Sequence, residues 1–349
     1  MKRTYYLELA AAGLRMPVGT HLVLHEHEQV KEILADGDKL GRILEESARR
    51  FRTPMAIPLM NLTLEKTALL SADNVPADKI DSYHFSELPS GRYDITLTPG
   101  MMVCCDALRY IAQKTDLLPV GMAIGPFSLM TKLVADPIAP VFLAGAGATA
   151  EEEVEIAIVE KALEIAEKVI RTYLEAQIAA GAKAVFICEP AANKVYFSPK
   201  QLEDNYDVFD RYVMEPNRRL KAFLAAHDVD LIFHDCGELT DEMVRRFGTL
   251  DPALLSLGSS RRLWEDARLV PKTTVLYGNL PSKHFSSDAH LSVQKVGEMA
   301  RELADNMRAT GHPFILGSEC DVLSVPKCEA AIWNKVNAFM ECHCGGKLN

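Results

Sequence analysis

A histidine and a cysteine with one residue between them, His234 and Cys236, end an apolar run that reads LIFHDC. Because residues i and i+2 of a β-strand point to the same side, we expect the imidazole and the thiol to share one space, as half of a zinc site. A later apolar run, FILGSEC, ends at Cys320. This residue predicts a third soft ligand from a distant strand, with the fourth tetrahedral position left open as in catalytic zinc sites.

The open position determines what such a site can do. Zinc held by thiolates and an imidazole can bind an incoming thiol and keep it deprotonated, yet still nucleophilic, at neutral pH. A methyl group is a natural electrophile for this thiolate. The three residues therefore favour methyl transfer.

The composition is typical of a soluble, cytoplasmic enzyme. The chain has 349 residues, of which 48% are hydrophobic, enough for one large α/β domain or two ordinary ones. No apolar run approaches the roughly 20 residues of a membrane helix, and Glu8 and Arg15 interrupt the apolar N-terminal stretch, which argues against a secretory signal. The net charge of -10 argues against nucleic acids and anionic membranes as partners. In a cytosolic chain of this length, the 8 cysteines are expected to be reduced thiols or metal ligands.

Short apolar runs alternate with amphipathic segments, which predicts a parallel sheet buried on both faces. The candidate strands are residues 55–61, 93–96, 120–124, 184–188, 231–234, 254–257, 274–277 and 314–317. The candidate helices are residues 28–50, 151–180, 200–226, 291–310 and 326–340. Thr149 and Glu152 form a capping-box signature before the longest helix, and Gly181 is a plausible stop after it. Eight strand and helix units predict a (β/α)8 TIM barrel.

The barrel geometry predicts where polar side chains meet. Active sites of TIM barrels form at the C-terminal ends of the strands. His234, Cys236 and Cys320 end their apolar runs, and Glu189 and Asn279 end two others. We therefore expect these five side chains to converge at one end of the barrel.

Five segments of the chain resemble the uroporphyrinogen decarboxylase superfamily, and within it the zinc-dependent, corrinoid-linked methyltransferases such as the methylcobalamin:coenzyme M methyltransferases. The HxC pair with a distant cysteine is the element typical of the methyltransferases, and the other matches mark the superfamily. The segments are GPFSLMTKL (125–133), GAKAVFICEP (181–190, followed by FSPKQLED), FHDCG (233–237), LYGNLPS (276–282) and GSECDVLSVP (317–326). They occur in the expected order.

The resemblance implies a TIM-barrel enzyme whose zinc is held by His234, Cys236 and Cys320. It also implies that the zinc binds a thiol, and that a methyl group is exchanged between this thiol and a corrinoid cofactor (methylcobalamin). Because the chain carries no DxHxxG cobalamin signature, we expect a separate corrinoid carrier protein as partner. We predict an N-terminal helical extension, residues 1–52, packed on a catalytic barrel, residues 53–349. The protein is expected to be a monomer or a homodimer.

Four further residues are candidates for the site. Glu189 is our candidate catalytic residue, as a fourth displaceable zinc ligand, as a base for the thiol proton, or alternatively as a carboxylate that forms an ion pair at the barrel mouth. Phe127, Tyr277 and Asn279 are candidate substrate-binding residues. Their alternative roles are structural, with Phe127 in the core and the other two shaping a loop after a strand.

Two other functions stay open. A metal-free decarboxylase of a tetrapyrrole needs an arginine-rich N-terminal stretch, and in the corresponding AAAGLRMP segment Arg15 is the one arginine. A non-catalytic zinc-binding or corrinoid-binding module is the third hypothesis. The C-terminal Cys342, His343 and Cys344 have a metal-binding composition, but we see no further ligands near them in the sequence and predict no second metal site.

Overall fold

The fold is a barrel of eight parallel strands. The computed structural model of the protein describes residues 3–91 and 93–342. The strands are β1 Arg15–Val18, β2 Met55–Ala56, β3 Leu118–Ile124, β4 Ala184–Cys188, β5 Asp230–Asp235, β6 Leu254–Leu257, β7 Val275–Leu280 and β8 Phe314–Asp321. Their order in the sheet is β1-β8-β7-β6-β5-β4-β3-β2. Strands that follow one another in the chain therefore pair from β2 to β8, and β8 pairs with β1. The predicted TIM-barrel fold is confirmed.

Six of the predicted strands correspond closely to β3 through β8, and the other two predictions need correction. The run at 93–96 is not a strand. Its Tyr93 is buried and packs against Phe85 in a loop, so this aromatic ring is buried without forming part of a strand. The run at 55–61 has only two residues of strand. The strand missing from the prediction is β1. Its Pro17 lacks a backbone N–H donor, which is unfavourable for a strand. In the structure, the register of β1 against β8 shifts between Met16 and Val18, on either side of this proline.

The helices surround the sheet. They are α1 Thr4–Ala11, α2 Thr20–Leu24, α3 Val30–Ile33, α4 Gly37–Arg50, α5 Leu64–Ala72, α6 Pro99–Lys114, α7 Pro126–Leu133, α8 Ile138–Gly145, α9 Val154–Ala179, α10 Pro199–Asp204, α11 Asp207–Phe209, α12 Glu215–Ala226, α13 Asp241–Thr249, α14 Leu263–Asp266, α15 Val293–Thr310 and α16 Glu329–Met340. Short 3₁₀ turns lie at Ala77–Lys79 and Ser282–His284, and a π-helical turn lies at Asp210–Met214.

Two of the predicted helices are interrupted. The segment 28–50 divides into α3 and α4 because the Asp36 side chain accepts the Lys39 N–H and starts a new helix there. The segment 200–226 contains α10, α11, the π-helical turn and α12. At the longest helix, Thr149 donates to Glu152 as the capping-box signature suggested, but this contact lies in the turn before α9 begins.

Apolar side chains form an inner and an outer layer. The inner layer fills the barrel with side chains such as Met16, Val120, Phe186 and Ile315. The outer layer lies between the strands and the helices. Because side chains of a strand alternate between these layers, the position of a residue in its strand decides whether it faces the barrel interior.

Helix α1 closes the N-terminal end of the barrel. The Tyr6 hydroxyl donates to Asp230 Oδ2 at 3.0 Å, at the first residue of β5. The Arg3 guanidinium donates to the carbonyl oxygens of Pro252 and Thr273, just before β6 and β7. The described part of the segment 1–52, from residue 3 onwards, therefore packs on the barrel through α1 and also contributes strand β1 to it. The domain boundary at residue 52 remains a prediction.

Side chains replace a strand beside the C-terminal half of β3, because β2 pairs only with its first residues. Gln177 accepts from Met122 N–H at 2.8 Å and donates to Met122 C=O at 3.0 Å. Glu65 Oε1 accepts the Ile124 N–H at 3.1 Å. These buried contacts satisfy backbone groups that would otherwise lack partners.

Within the described residues, no helix is both long enough and apolar enough to cross a membrane.

Candidate metal centre

The three predicted zinc ligands lie together at the C-terminal end of the barrel. His234 is the penultimate residue of β5, Cys236 directly follows that strand, and Cys320 is the penultimate residue of β8. The curvature of the sheet brings β5 and β8 to the same mouth, although two strands separate them in the sheet. The ligand atoms of the three residues all lie within 4.8 Å of one another. No other group of three such ligands occurs in the parts of the chain that the structure describes.

His234 is oriented by a neighbouring strand. It pairs in register with Ser256 of β6, and its Nδ1 lies 2.8 Å from Ser256 Oγ. Both side chains are buried. The other ring nitrogen, Nε2, is also buried but has no hydrogen-bond partner in the described structure. A nitrogen that is oriented and unpaired in this way fits a metal ligand, because a second hydrogen bond commonly fixes the tautomer of a ligating imidazole.

The pKa values of the two cysteine thiols shift in opposite directions. A hydrogen bond with Cys320 lowers the pKa of Cys236 against its burial, and His234 lowers this pKa further. The same hydrogen bond raises the pKa of Cys320, and burial adds to this effect. Cys236 is therefore the more acidic thiol of the pair, and binding of a cation to both sulfur atoms would release the protons that they still carry.

This donor set fits zinc. Two sulfur ligands and one imidazole nitrogen are the soft ligands that zinc prefers, and three protein ligands are the number found at open, catalytic sites. The buried, unpaired Nε2 of His234 is the structural observation that supports this fit. His234, Cys236 and Cys320 are the residues that would hold the ion.

Charged residues surround the cluster. Burial lowers the pKa of Lys283, but the negative charges of Cys236 and Glu319 outweigh it and the pKa is raised. Lys283 thus brings a positive charge to the thiolate. Glu319 Oε2 accepts the Ser259 N–H at 3.0 Å, and this contact holds the loop after β6 against β8.

Glu189 lies outside the cluster and contacts the start of a helix. Its carboxylate accepts the N–H groups of Phe127 and Ser128 in the first turn of α7, at 3.1 and 2.8 Å, and the Asn217 side-chain amide at 2.8 Å. Burial raises its pKa, and these donors counteract the effect. The contacts give Glu189 a structural role at a helix N-terminus. These neutral donors take the place of the ion pair that we considered for Glu189. The catalytic role of Glu189 remains a prediction.

Phe127 belongs to the outer apolar layer and not to the barrel mouth. Its side chain is fully buried and packs against Phe197 with ring centroids 4.9 Å apart. Phe127 therefore has the core position that was the alternative to a role in substrate binding. A role in substrate binding would require Phe127 to leave this packing.

Tyr277 and Asn279 of β7 use their polar groups within the protein. The Tyr277 hydroxyl donates to Met16 C=O at 2.7 Å, inside the barrel. The Asn279 amide donates to the carbonyl oxygens of Gly258 and Arg261, at 2.8 and 2.9 Å. These contacts support the alternative that the two residues shape the barrel and the loop after β6.

Two residues beside the cluster, Ser256 and Met60, were not predicted from the sequence. Ser256 was recognisable as a hydroxyl in the otherwise apolar strand LLSL, where a buried polar group needs a partner. Met60 lies with its Sδ 3.5 Å from Cys320 Sγ, and nothing in the sequence around it indicates this position. His343 and Cys344 of the C-terminal cluster lie outside the described residues.

Comparisons with known proteins agree with this architecture. Residues 91–339, more than half of the chain, match the sequence profile of the family described as Uroporphyrinogen decarboxylase (URO-D). Among solved structures, a methyltransferase from Methanosarcina mazei is similar, with a TM-score of 0.66 and 16% sequence identity over 98% of this chain and 99% of that chain. At this identity, the likeness shows a common fold. None of the curated proteins matches the chain.

Proposed function

The chain belongs to the uroporphyrinogen decarboxylase (URO-D) family, and we propose that it is a zinc-dependent methyltransferase. It moves a methyl group between a corrinoid (methylcobalamin), brought by a carrier protein, and a thiol or other small methyl acceptor or donor. One observation carries the proposal: the ligand atoms of His234, Cys236 and Cys320 lie within 4.8 Å of one another at the barrel mouth. We also propose that the protein acts in the cytoplasm, as a monomer or a homodimer.

The three residues of the cluster and two of their neighbours, Ser256 and Phe186, have roles in this function. The bound zinc would hold the substrate thiol as a nucleophilic thiolate at neutral pH. Cys236 and Cys320 bring negative charge that balances a divalent cation, and Ser256 orients the His234 ring. The Phe186 ring lies 5.8 Å from the His234 ring and helps to exclude water on the barrel side of the cluster.

The decarboxylase alternative receives less support. Arg15, the one arginine in the segment expected to bind propionates, donates to the carbonyl oxygens of Phe339 and Met340 at 3.2 and 2.8 Å. It therefore contacts the C-terminal end of α16, where a cation interacts favourably with the exposed carbonyls. A decarboxylase would also give no reason for an unpaired, buried His234 Nε2 beside two thiols.

Metal analysis of the purified protein tests the zinc site. We expect about one zinc per chain in the wild type and loss of most of it in Cys320→Ala, because a three-ligand site loses a thiolate. Cys328→Ala is the matched control, since Cys328 is half-buried just before α16 and lies outside the cluster. Stoichiometric zinc in a folded Cys320→Ala protein would contradict the assignment, and so would a wild type that binds no zinc.

The methyl-transfer activity needs its own assay. The protein is incubated with methylcobalamin and a panel of thiols, and loss of the cobalt–methyl absorbance is recorded for the wild type and for Cys320→Ala. Zinc-dependent loss of this absorbance supports the proposal. Stoichiometric zinc without any methyl transfer across the panel, in either direction, would favour a binding module.

A further inference from the structure

A methionine lies at the edge of the metal cluster. Met60 follows β2 in the chain, is half-buried and packs against the apolar interior of the barrel. Its Sδ accepts a hydrogen bond from the Cys320 thiol, with the two sulfur atoms 3.5 Å apart. A lone pair of the thioether is therefore directed towards the side of the cluster that Cys320 forms.

The distance between Met60 Sδ and Cys320 Sγ is close to that between neighbouring sulfur ligands of one metal ion. Two sulfur atoms that bind the same tetrahedral zinc at about 2.3 Å lie about 3.8 Å apart. Met60 Sδ is separated from Cys320 Sγ by nearly this distance, whereas the three predicted ligands already account for three corners of a tetrahedron. A thioether is also a soft ligand of the kind that suits a sulfur-rich site.

The backbone of Met60 is anchored while its side chain keeps freedom to move. The carboxyl group of Asp321, the residue after Cys320, interacts with the Met60 backbone N–H. Leu62, two residues after Met60, accepts a hydrogen bond at its C=O from the Lys132 ammonium at 2.8 Å. An unbranched methionine side chain has three rotatable bonds, so the sulfur can leave the cluster without displacing the segment.

We propose that Met60 Sδ is the fourth ligand of the resting metal site, and that an incoming substrate thiol displaces it. The proposal rests on the proposed function, because it assumes zinc at His234, Cys236 and Cys320. In the exchange the neutral thioether leaves, the substrate sulfur takes its place, and the thiol proton passes to the buffer. Met60 thereby closes the site until a thiol arrives, and this competition lowers the apparent affinity for thiols.

X-ray absorption at the zinc edge counts the sulfur ligands directly. We expect three sulfur neighbours in the wild type and two in Met60→Leu, a substitution that nearly conserves volume. With 2-mercaptoethanol as the thiol probe, both proteins should show three. Met16→Leu is the matched control, because Met16 lies in the barrel interior with its sulfur bound by the Thr53 hydroxyl, and it should keep three sulfur neighbours throughout.

Thiol titration gives a second readout. If Met60 occupies the metal in about nine-tenths of the molecules, Met60→Leu should bind 2-mercaptoethanol about tenfold more tightly. Two sulfur neighbours in the wild type, with unchanged thiol affinity in Met60→Leu, would overturn this inference and leave the three-ligand site and the proposed function intact. A wild type without zinc would overturn both. The wild-type spectrum decides the question even if the variant fails to fold.

Discussion

Replacing Ser256 with alanine should weaken zinc binding without removing any ligand. The Ser256 hydroxyl lies 2.8 Å from His234 Nδ1, and both side chains are about 1% exposed, so water cannot take its place. A metal bound at Nε2 requires the proton on Nδ1, and in the variant this N–H has no acceptor. An unsatisfied buried donor costs about 1–3 kcal/mol, which corresponds to a loss of about 5- to 150-fold in affinity. Partners of ligating histidines in other metal sites have effects of about 10- to 100-fold.

The assay is competition for zinc between the protein and a chelating indicator, with unfolding of the metal-stripped protein measured in parallel. Ser47→Ala is the matched control. Ser47 is also buried and its hydroxyl accepts from Thr20 at 3.2 Å, but it lies outside the cluster, so its loss should affect stability and leave zinc affinity unchanged. Zinc affinity of Ser256→Ala equal to that of Ser47→Ala would refute the reasoning that the hydroxyl orients the imidazole.

Two further predictions concern the buried carboxyl groups. Burial raises the pKa of Glu65 from the usual 4.5 to about 7, so its contribution to stability is complete below pH 4.5 and is lost as the pH rises to about 7. Relative to Glu65→Gln, the free energy of unfolding of the wild type should fall by about 3 kcal/mol across this window. Urea unfolding at several pH values measures this difference. Parallel pH profiles of the two proteins would show that Glu65 does not titrate in this range. Glu189→Gln should lower the free energy of unfolding by about 1–3 kcal/mol, because an amide N–H then faces a backbone N–H, while zinc content stays at the wild-type value. Methyl transfer that disappears in fully folded Glu189→Gln would instead support the catalytic role predicted for Glu189.

The local sequence pattern determined the strands and the type of chemistry. Apolar runs of strand length specified six strands closely, because burial on both faces of a parallel sheet requires apolar side chains at successive positions. The spacing of His234 and Cys236 was sufficient to place both on one side of a strand, because this geometry depends on neighbouring residues alone. Cys320 ends another apolar run. Its place beside His234 and Cys236 followed from the rule that active-site residues of a barrel gather at the C-terminal ends of its strands.

The tertiary structure decided which polar groups are free for chemistry and which are used within the protein. Glu189, Tyr277 and Asn279 all lie near strand ends, yet their hydrogen bonds connect them to a helix, to β1 and to a loop. Met60 reaches Cys320 across 260 positions of the chain. Such partners are brought together by the curvature of the sheet, and the pattern of residues around each of them does not indicate a contact made so far away in the sequence.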